Sequence, residues 1–250
     1  MPTFTHRGHR FHYRTHGDGP LLLILPGNTA SSALHAGEMA YFGRRYQAVS
    51  LDFLGTGQSE RLGQWPLSWW EDGAGDALAL VEHLGCDRAL VMGTSGGGVI
   101  ALMMGLRAPA RVAGIVADSC VAALSANALR ASVAARQTEI DAGGEFWRVA
   151  HGDDWRDVVG ADSDLLLRCA EGGGVDWFPV GLSAMRCPVL LTASLSDSLL
   201  PGVAEEVPRM AREIADSYVF LDRRGDHPLM WSRPAEFRAI SDWFLHQHAL

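Results

Sequence analysis

The chain has 250 residues, a formal net charge of −8 and 48% hydrophobic residues, which suits one sizeable domain with at most a modest insertion. The acidic balance disfavours binding to nucleic acid or to anionic lipid. All 21 basic residues are arginine, which excludes a Schiff-base lysine, a Ser-Lys dyad and a phosphate-loop lysine. We therefore expect chemistry on a small-molecule substrate.

Signals for export, membrane insertion and metal binding are missing from the sequence. The N-terminus lacks the charged-then-apolar order of a secretion signal, and no apolar run approaches the roughly 20 residues that span a bilayer. The 4 cysteines lie far apart without a CxxC pair, so free thiols are expected. We predict a cytoplasmic protein with no cofactor and no metal, and the sequence leaves open whether it is a monomer or a homo-oligomer.

Short strand-like segments recur along the chain. Two alternating segments, 3–7 and 10–16, predict an opening hairpin. Uniformly apolar runs follow, typical of strands covered on both faces of a parallel sheet. These runs are 21–25, 48–51, 89–92, 112–117, 189–192 and 218–221. Helical spacing separates them, most clearly over 74–84. The alternation predicts a doubly wound, mostly parallel eight-stranded α/β sheet, with reactive groups beyond the carboxyl ends of its strands.

This alternation breaks between residues 119 and 185, where helical stretches mix with glycines and aromatic residues. We predict a core formed by 1–118 and 186–250, and a helical cap formed by 119–185. Two ordinary crossover helices with long loops are the alternative, although nearly 70 residues is more than a parallel crossover needs.

The strand at 89–92 runs into Gly93-Thr94-Ser95-Gly96-Gly97, and helical spacing resumes at Val99. This is a GxSxG sequence between a buried strand and a helix, where a sharp turn presents the serine and needs glycine on both sides. The following helix directs its amide end at the site. Ser95 is therefore the predicted nucleophile.

A serine hydroxyl needs a base to remove its proton. Past Ser95 the chain has the histidines His151, His227, His246 and His248. His151 lies in the predicted cap, and the last two lie in a C-terminal helix. His227 follows the last strand directly, in a turn-rich loop, and is the predicted base.

The carboxylate that orients this histidine should follow another strand, between serine and histidine in chain order. Asp197 fits best, because it lies just after the strand at 189–192. Asp118, at the end of the preceding strand, is the rival, and Asp222 is a more distant one. Asp226 adjoins the histidine in sequence, which suits loop formation better than this role.

An oxyanion hole needs two backbone donors, one from the residue after the nucleophile and one from the loop after the first central strand. Gly96 and Asn28 occupy these positions. An ordinary strand-to-helix turn would explain the glycine before Asn28 equally well.

Together these motifs resemble the α/β-hydrolase superfamily. The resemblance is carried by Pro26-Gly27-Asn28, Asp52-Phe53-Leu54-Gly55-Thr56-Gly57-Gln58-Ser59, Gly93-Thr94-Ser95-Gly96-Gly97, Asp197 and His227. The chain is similar to the capped esterase, lipase-like and C–C hydrolase group, in which the second motif is a structural turn after a central strand. The family usually has histidine where this chain has Pro26. Haloalkane dehalogenases resemble the Gly27-Asn28 segment too, but their nucleophile is aspartate.

The resulting hypothesis is acyl transfer from an ester or similar carbonyl of a small, largely apolar substrate, through a Ser-His-Asp triad and an acyl-enzyme. A C–C bond hydrolase, a perhydrolase or a cofactor-free oxygenase on the same scaffold remains an alternative. A non-catalytic small-ligand receptor is another. Arg130 or Arg168 in the predicted cap could bind an acidic substrate.

Four histidines of the N-terminal hairpin, His6, His9, His12 and His16, cluster in sequence without carboxylates or a metal-binding spacing. We expect them on a solvated edge hairpin.

Overall fold

A computed structural model describes residues 2–200 and 202–248 of the chain. Its strands are β1 Thr3–His6, β2 His9–His16, β3 Leu21–Leu25, β4 Gln47–Leu51, β5 Ala89–Thr94, β6 Val112–Asp118, β7 Ala123–Ser125, β8 Gly174–Asp176, β9 Val189–Ser194 and β10 Ser217–Asp222. Eight of them form one sheet in the order β1-β2-β4-β3-β5-β6-β9-β10. Only the pairings of β2 with β1 and with β4 are antiparallel, so the predicted mostly parallel eight-stranded sheet is confirmed.

Helices cover both faces of this sheet. They are α1 Ala36–Phe42, α2 Trp69–His83, α3 Gly96–Arg107, α4 Ala126–Asp141, α5 Glu145–His151, α6 Trp155–Glu171, α7 Val203–Glu213, α8 Leu229–Ser232 and α9 Pro234–His248, with a 3-10 turn at Ser32–His35 before α1. Within the ranges that the structure describes, none of them is both long enough and apolar enough to span a bilayer.

The strands supply two hydrophobic layers because successive side chains point to opposite faces. In β3, Leu21, Leu23 and Leu25 belong to the layer packed against α2, α3 and α7. Leu22 and Ile24 belong to the opposite layer, packed against α1 and α9. Burial on both faces explains why these strands read as uninterrupted apolar runs in the sequence.

Segment 119–185 lies between β6 and β9 and contains α4, α5 and α6. Its two short strands, β7 and β8, pair antiparallel in a separate sheet, which the sequence did not indicate. Trp147, Trp155 and Val159 form a small cluster of their own. The division into a core and a cap at residues 118 and 186 stays a prediction.

The expectation that all four N-terminal histidines lie on a solvated edge is wrong for His12. β1 is the edge strand, and β2 lies between β1 and β4. His12 on β2 is 2% exposed, and its Nδ1 lies 2.8 Å from Asp52 Oδ2. Asp52 also accepts hydrogen bonds from the amides of Ser32 and Gln58, so a buried carboxylate at the end of β4 accounts for the buried histidine.

Helix α3 approaches β3 closely at a glycine. A Cβ on Gly97 would lie 2.2 Å from the carbonyl oxygen of Leu25 and 2.5 Å from that of Pro26. Both atoms belong to the backbone and have little freedom to move. Gly160, in the middle of α6, has nothing within 4 Å of the corresponding position.

We therefore expect Gly97→Ala to lower the free energy of unfolding by ~2 kcal/mol or more, because the methyl group overpacks fixed backbone. Gly160→Ala is the matched control and should raise that free energy by up to ~1 kcal/mol, because alanine favours the helix. Urea denaturation of both variants measures the difference. An equal, small effect at the two positions would contradict the close approach.

His35 is a buried histidine with no hydrogen-bond partner on either ring nitrogen. It is fully buried, and its ring packs against Trp231 with centroids 5.3 Å apart. Burial lowers the pKa of His35 to about 4, against a smaller opposing effect of Asp52. The native state therefore holds this imidazole neutral at pH values where the unfolded chain already binds a proton.

As pH falls from about 6.5 to about 4, the unfolded state gains a proton that native His35 does not accept, so stability is lost across this window. The loss reaches roughly 3 kcal/mol. His35→Leu removes the titrating group. The difference in unfolding free energy between the variant and the wild type should therefore shift by roughly 3 kcal/mol in favour of the variant from pH 7 to pH 4, as measured by urea titration. A difference that does not change with pH would contradict the assignment.

Candidate active site

Ser95 occupies a sharp turn between β5 and α3. Its backbone has φ 54° and ψ −124°, in the left-handed half of the Ramachandran map where non-glycine residues are uncommon. Its amide donates to the carbonyl of Asp118, 2.8 Å away. A Cβ on Gly93 would lie 2.1 Å from the carbonyl oxygen of Gly97, so the turn needs glycine there.

His227 lies in the loop between β10 and α8, as expected from its position after the last strand. Its Nδ1 is 2.9 Å from Asp197 Oδ2. The other carboxylate oxygen of Asp197 accepts from the amides of Leu199 at 3.0 Å and Leu200 at 2.8 Å. A carboxylate accepts hydrogen bonds, so Nδ1 of His227 is the donor in this contact and Nε2 is the ring nitrogen left for another partner.

Asp226, next to His227 in sequence, holds the loop together. Its Oδ1 accepts from the amide of Ser198 at 2.9 Å and from the amide of His227 at 2.8 Å. These hydrogen bonds, the Ser198 amide first, hold the pKa of Asp226 below its usual value. The residue thus joins the loop after β9 to the loop after β10, which carry Asp197 and His227.

Asp118, the rival acid, is fully buried and makes other contacts. Its carboxylate accepts from Thr192 Oγ1 at 2.8 Å, from Thr94 Oγ1 at 3.0 Å and from the amide of Met230 at 3.0 Å. Burial raises the pKa of Asp118 to about 6, although these hydrogen bonds oppose the shift. Asp118 therefore ties β5, β6 and β9 to the start of α8.

Asp222, the remaining candidate, lies among arginines at the end of β10. Its Oδ1 accepts from the amide of Arg224 at 2.7 Å, and Arg233 Nε lies 3.4 Å from its Oδ2. The amide of Arg224, more than the nearby guanidinium groups, lowers the pKa of Asp222. Of the four acids considered, Asp197 is the one whose carboxylate contacts the imidazole ring of His227.

The loop after β3, residues 26–30, passes directly over the Ser95 turn and is called the 26–30 loop below. A Cβ on Gly27 would lie 3.1 Å from Cβ of Ser95, and one on Gly96 would lie 3.3 Å from the amide nitrogen of Asn28. Pro26 begins the loop, and a hydrogen bond from the amide of Ala30 to the carbonyl of Gly27 closes it. The two predicted oxyanion donors, Asn28 and Gly96, are therefore neighbours.

A cavity of about 460 Å³ opens above these residues and is bordered by Asn28, Ser95, Gly96 and His227. This volume falls in the range of small-molecule sites. Apolar side chains form most of its wall. They are Ala30, Trp70, Val99, Cys120, Val121, Leu124, Ala135, Phe146, Trp147, Leu166, Trp177, Leu199, Leu200, Pro228 and Trp231.

Cys120 contributes a thiol to the lining of this cavity. Burial raises the pKa of its thiol to about 12, so the thiol stays protonated at neutral pH and is a poor nucleophile. Across residues 2–200 and 202–248, no group of three or more histidine, cysteine or acidic side chains is arranged to hold a metal ion.

The arginine at the cavity is one that the sequence analysis missed. Arg130 donates to the carbonyl of Ala170, and Arg168 pairs with Asp164; neither of these predicted arginines borders the cavity. Arg136 on α4 does. It forms an ion pair with buried Asp162 of α6, and nothing in the local sequence around either residue signals this pair.

A family model described as alpha/beta hydrolase fold matches residues 20–139. Haloalkane dehalogenase 2 of Mycobacterium tuberculosis is 35% identical over 107 residues, which cover 43% of this chain and 37% of the relative. The match thus spans little more than a third of that protein's length.

Two further similarities cover almost the whole chain. The putative carbamate hydrolase RutD of Pseudomonas syringae is 25% identical over 95% of this chain and 98% of its own. A crystal structure of a hydrolase from Pseudomonas aeruginosa PA01 superimposes with a TM-score of 0.80 and 20% identity, covering 98% of this chain and 97% of that one. At this level of identity the structural match establishes the fold.

The different surroundings of the two acids predict different effects of removing their charge. Asp197→Asn should lower kcat on a reactive ester by ~10⁴-fold, because the amide favours the wrong tautomer of His227. Asp118→Asn should retain most of kcat but lose about 1–3 kcal/mol of stability. An NH₂ group would replace one carboxylate oxygen and could not accept the hydrogen bonds that buried groups donate there. Steady-state kinetics and urea denaturation distinguish them, and the reverse pattern would move the acid to Asp118.

Proposed function

We propose, from the premise that this chain belongs to the α/β-hydrolase superfamily, that it is a serine hydrolase. Its substrate would be a small, largely apolar ester or similar carbonyl compound. Ser95 would be the nucleophile, His227 the base and Asp197 the acid that orients it. The observation that carries the proposal is the 2.9 Å contact between His227 Nδ1 and Asp197 Oδ2, on a histidine that borders the same cavity as Ser95.

The reaction would proceed in two steps through a covalent acyl-enzyme. His227 Nε2 takes the proton of Ser95 as its Oγ attacks the carbonyl carbon, and then gives that proton to the leaving group. Water attacks the acyl-enzyme by the reverse relay and releases the acid. Asp197 stabilises the imidazolium that forms in each step and fixes the tautomer of the ring.

The negative charge on the carbonyl oxygen would be stabilised by two amides, those of Asn28 and Gly96. Their proximity supports this role, as does the position of Gly96 at the first turn of α3, where helix amides point out of the helix. One such donor contributes about 3 kcal/mol to the transition state in comparable sites.

The cavity wall supports a neutral, apolar substrate. Most of its lining side chains are apolar or aromatic, and the charge of Arg136 is already compensated by Asp162. An isolated carboxylate on the substrate would therefore find no free cation at this position. The aromatic residues Phe146, Trp147 and Trp177 at the wall come from segment 119–185, in keeping with a cap that closes over the substrate.

Dehalogenation, the activity in the name of one relative, is disfavoured by the chemistry of the nucleophile. Displacement of halide by Ser95 would form an alkyl ether, which has no carbonyl for water to attack. The name of a second relative, a putative carbamate hydrolase, adds carbamates to the bonds that should be assayed. C–C bond hydrolysis, perhydrolysis, cofactor-free oxygenation and ligand binding without turnover are the rival outcomes.

A fluorophosphonate probe should label the wild type, and Ser95→Ala should abolish labelling because it removes the attacking oxygen. The same variant should lower kcat on nitrophenyl acetate or butyrate by ~10⁴-fold or more, and His227→Ala should do likewise. Ser196→Ala is the matched control, because this exposed serine in the Asp197 loop donates only to the carbonyl of Arg223.

Labelling that survives Ser95→Ala would refute the assignment of the nucleophile. Turnover of ring-cleavage diketones without turnover of esters or carbamates would favour the C–C hydrolase. Ligand binding without labelling or turnover of any of these compounds would favour the receptor.

A further inference from the structure

The side chain of Asn28, in the 26–30 loop, is held at both ends. Its Nδ2 donates to Asp162 Oδ1 at 2.7 Å, and its Oδ1 accepts from Trp70 Nε1 at 3.1 Å. Asp162 lies on α6 within segment 119–185, and its side chain is fully buried. A buried carboxylate requires such partners, so this contact fixes Asn28 relative to α6.

The next residue of the loop, Thr29, is held by α5. His151 donates from Nε2 to the carbonyl of Thr29 at 2.9 Å, and its Nδ1 accepts from the amide of Gly57 at 2.9 Å. Because an amide only donates, Nδ1 is unprotonated and Nε2 carries the proton. Trp147, one helical turn before His151, donates from Nε1 to Thr29 Oγ1 at 3.1 Å.

The backbone of Thr29 needs this support. Its φ is 56°, in the left-handed region that a β-branched residue rarely adopts. Such a conformation persists only where the surroundings over-determine it. Two hydrogen bonds donated by α5 end on Thr29, and Asn28 donates one to Asp162 of α6. The backbone amide nitrogen of Asn28 lies next to Gly96.

We propose that His151 and Asp162 are positioning residues that hold the 26–30 loop in the conformation needed for an oxyanion hole. The proposal rests on the proposed function in one respect, the use of the Asn28 amide as a donor. Segment 119–185 would then do more than cover the cavity, because its docking would complete the catalytic arrangement.

Neither residue borders the cavity. His151 therefore acts on the reaction through the loop, whereas Asp162 also pairs with Arg136 at the cavity wall. Loss of either contact should therefore weaken transition-state stabilisation and leave substrate binding largely intact. A residue that merely shaped the binding pocket would change KM instead.

The test compares His151→Leu with His151→Gln on a nitrophenyl ester. Leucine removes both hydrogen bonds, and we expect kcat to fall by roughly tenfold to a hundredfold with little change in KM, because a small displacement of a donor has effects of this size. Glutamine offers an acceptor for Gly57 and a donor for Thr29, and it should restore most of kcat.

Two more variants complete the set. Asp162→Asn keeps the volume but replaces the carboxylate that accepts from Asn28 Nδ2 with a neutral amide, which weakens that hydrogen bond, and should also lower kcat. It carries the test if His151→Leu fails to fold. Gln64→Ala is the control, because Gln64 joins the core to α6 through Asp164 at 3.3 Å and contacts neither the 26–30 loop nor His151 or Asp162. It should leave kcat unchanged.

Hydrogen–deuterium exchange of the peptide that contains residues 26–30 provides a readout independent of activity. Exchange should be faster in His151→Leu and Asp162→Asn than in the wild type and in Gln64→Ala. If the wild type proves inactive on esters and unlabelled by the probe, the proposed function fails, and the exchange data still decide whether these residues hold the loop.

Several results would overturn the proposal. These are unchanged kcat in His151→Leu, a change in KM alone, an equal loss in Gln64→Ala, and unchanged exchange of the 26–30 loop in both His151→Leu and Asp162→Asn.

Discussion

The architecture of the site depends on one backbone constraint, the left-handed turn at Ser95 between β5 and α3. The turn exists because Gly93 and Gly97 let the backbones of β5, α3 and β3 approach more closely than a Cβ would permit. This close approach places the 26–30 loop next to Gly96, and it sets the carboxyl ends of the neighbouring strands around the serine. A residue with a side chain at either glycine would separate these elements before any catalytic group changed.

The two buried acids near this turn, Asp197 and Asp118, have different hydrogen-bond partners. Asp197 combines two amide donors with the imidazole of His227, an arrangement suited to a carboxylate that stabilises a positive charge. Asp118 is fully buried among hydroxyl groups and an amide, and its pKa is raised, so it is better suited to joining strands than to supporting an imidazolium. Sequence order allowed both residues, and only the side-chain directions distinguish their contacts.

The sheet could be predicted from the sequence because apolar strands and turn glycines mark it locally. Ser95, Asp197, His227, Asn28 and Gly96 lie beside strand ends, where the sequence put them, and their catalytic roles stay predictions. The sequence does not reveal contacts between residues that are far apart in the chain. His12 looks like a solvated hairpin residue because its buried partner, Asp52, is 40 positions away. The contact of Asn28 with Asp162 spans 134 positions and that of Thr29 with His151 spans 122, and no local periodicity predicts such pairs. The Arg136–Asp162 ion pair was missed for the same reason.

The most direct test of the account is a crystal structure of the protein after reaction with a phosphonate ester. We expect phosphorus bonded to Ser95 Oγ, with the phosphoryl oxygen about 2.7–3.1 Å from the amide nitrogens of Asn28 and Gly96. The imidazole of His227 should lie beside the bonded oxygen. A phosphonyl group on another residue, or a phosphoryl oxygen directed away from both amides, would contradict the proposed site.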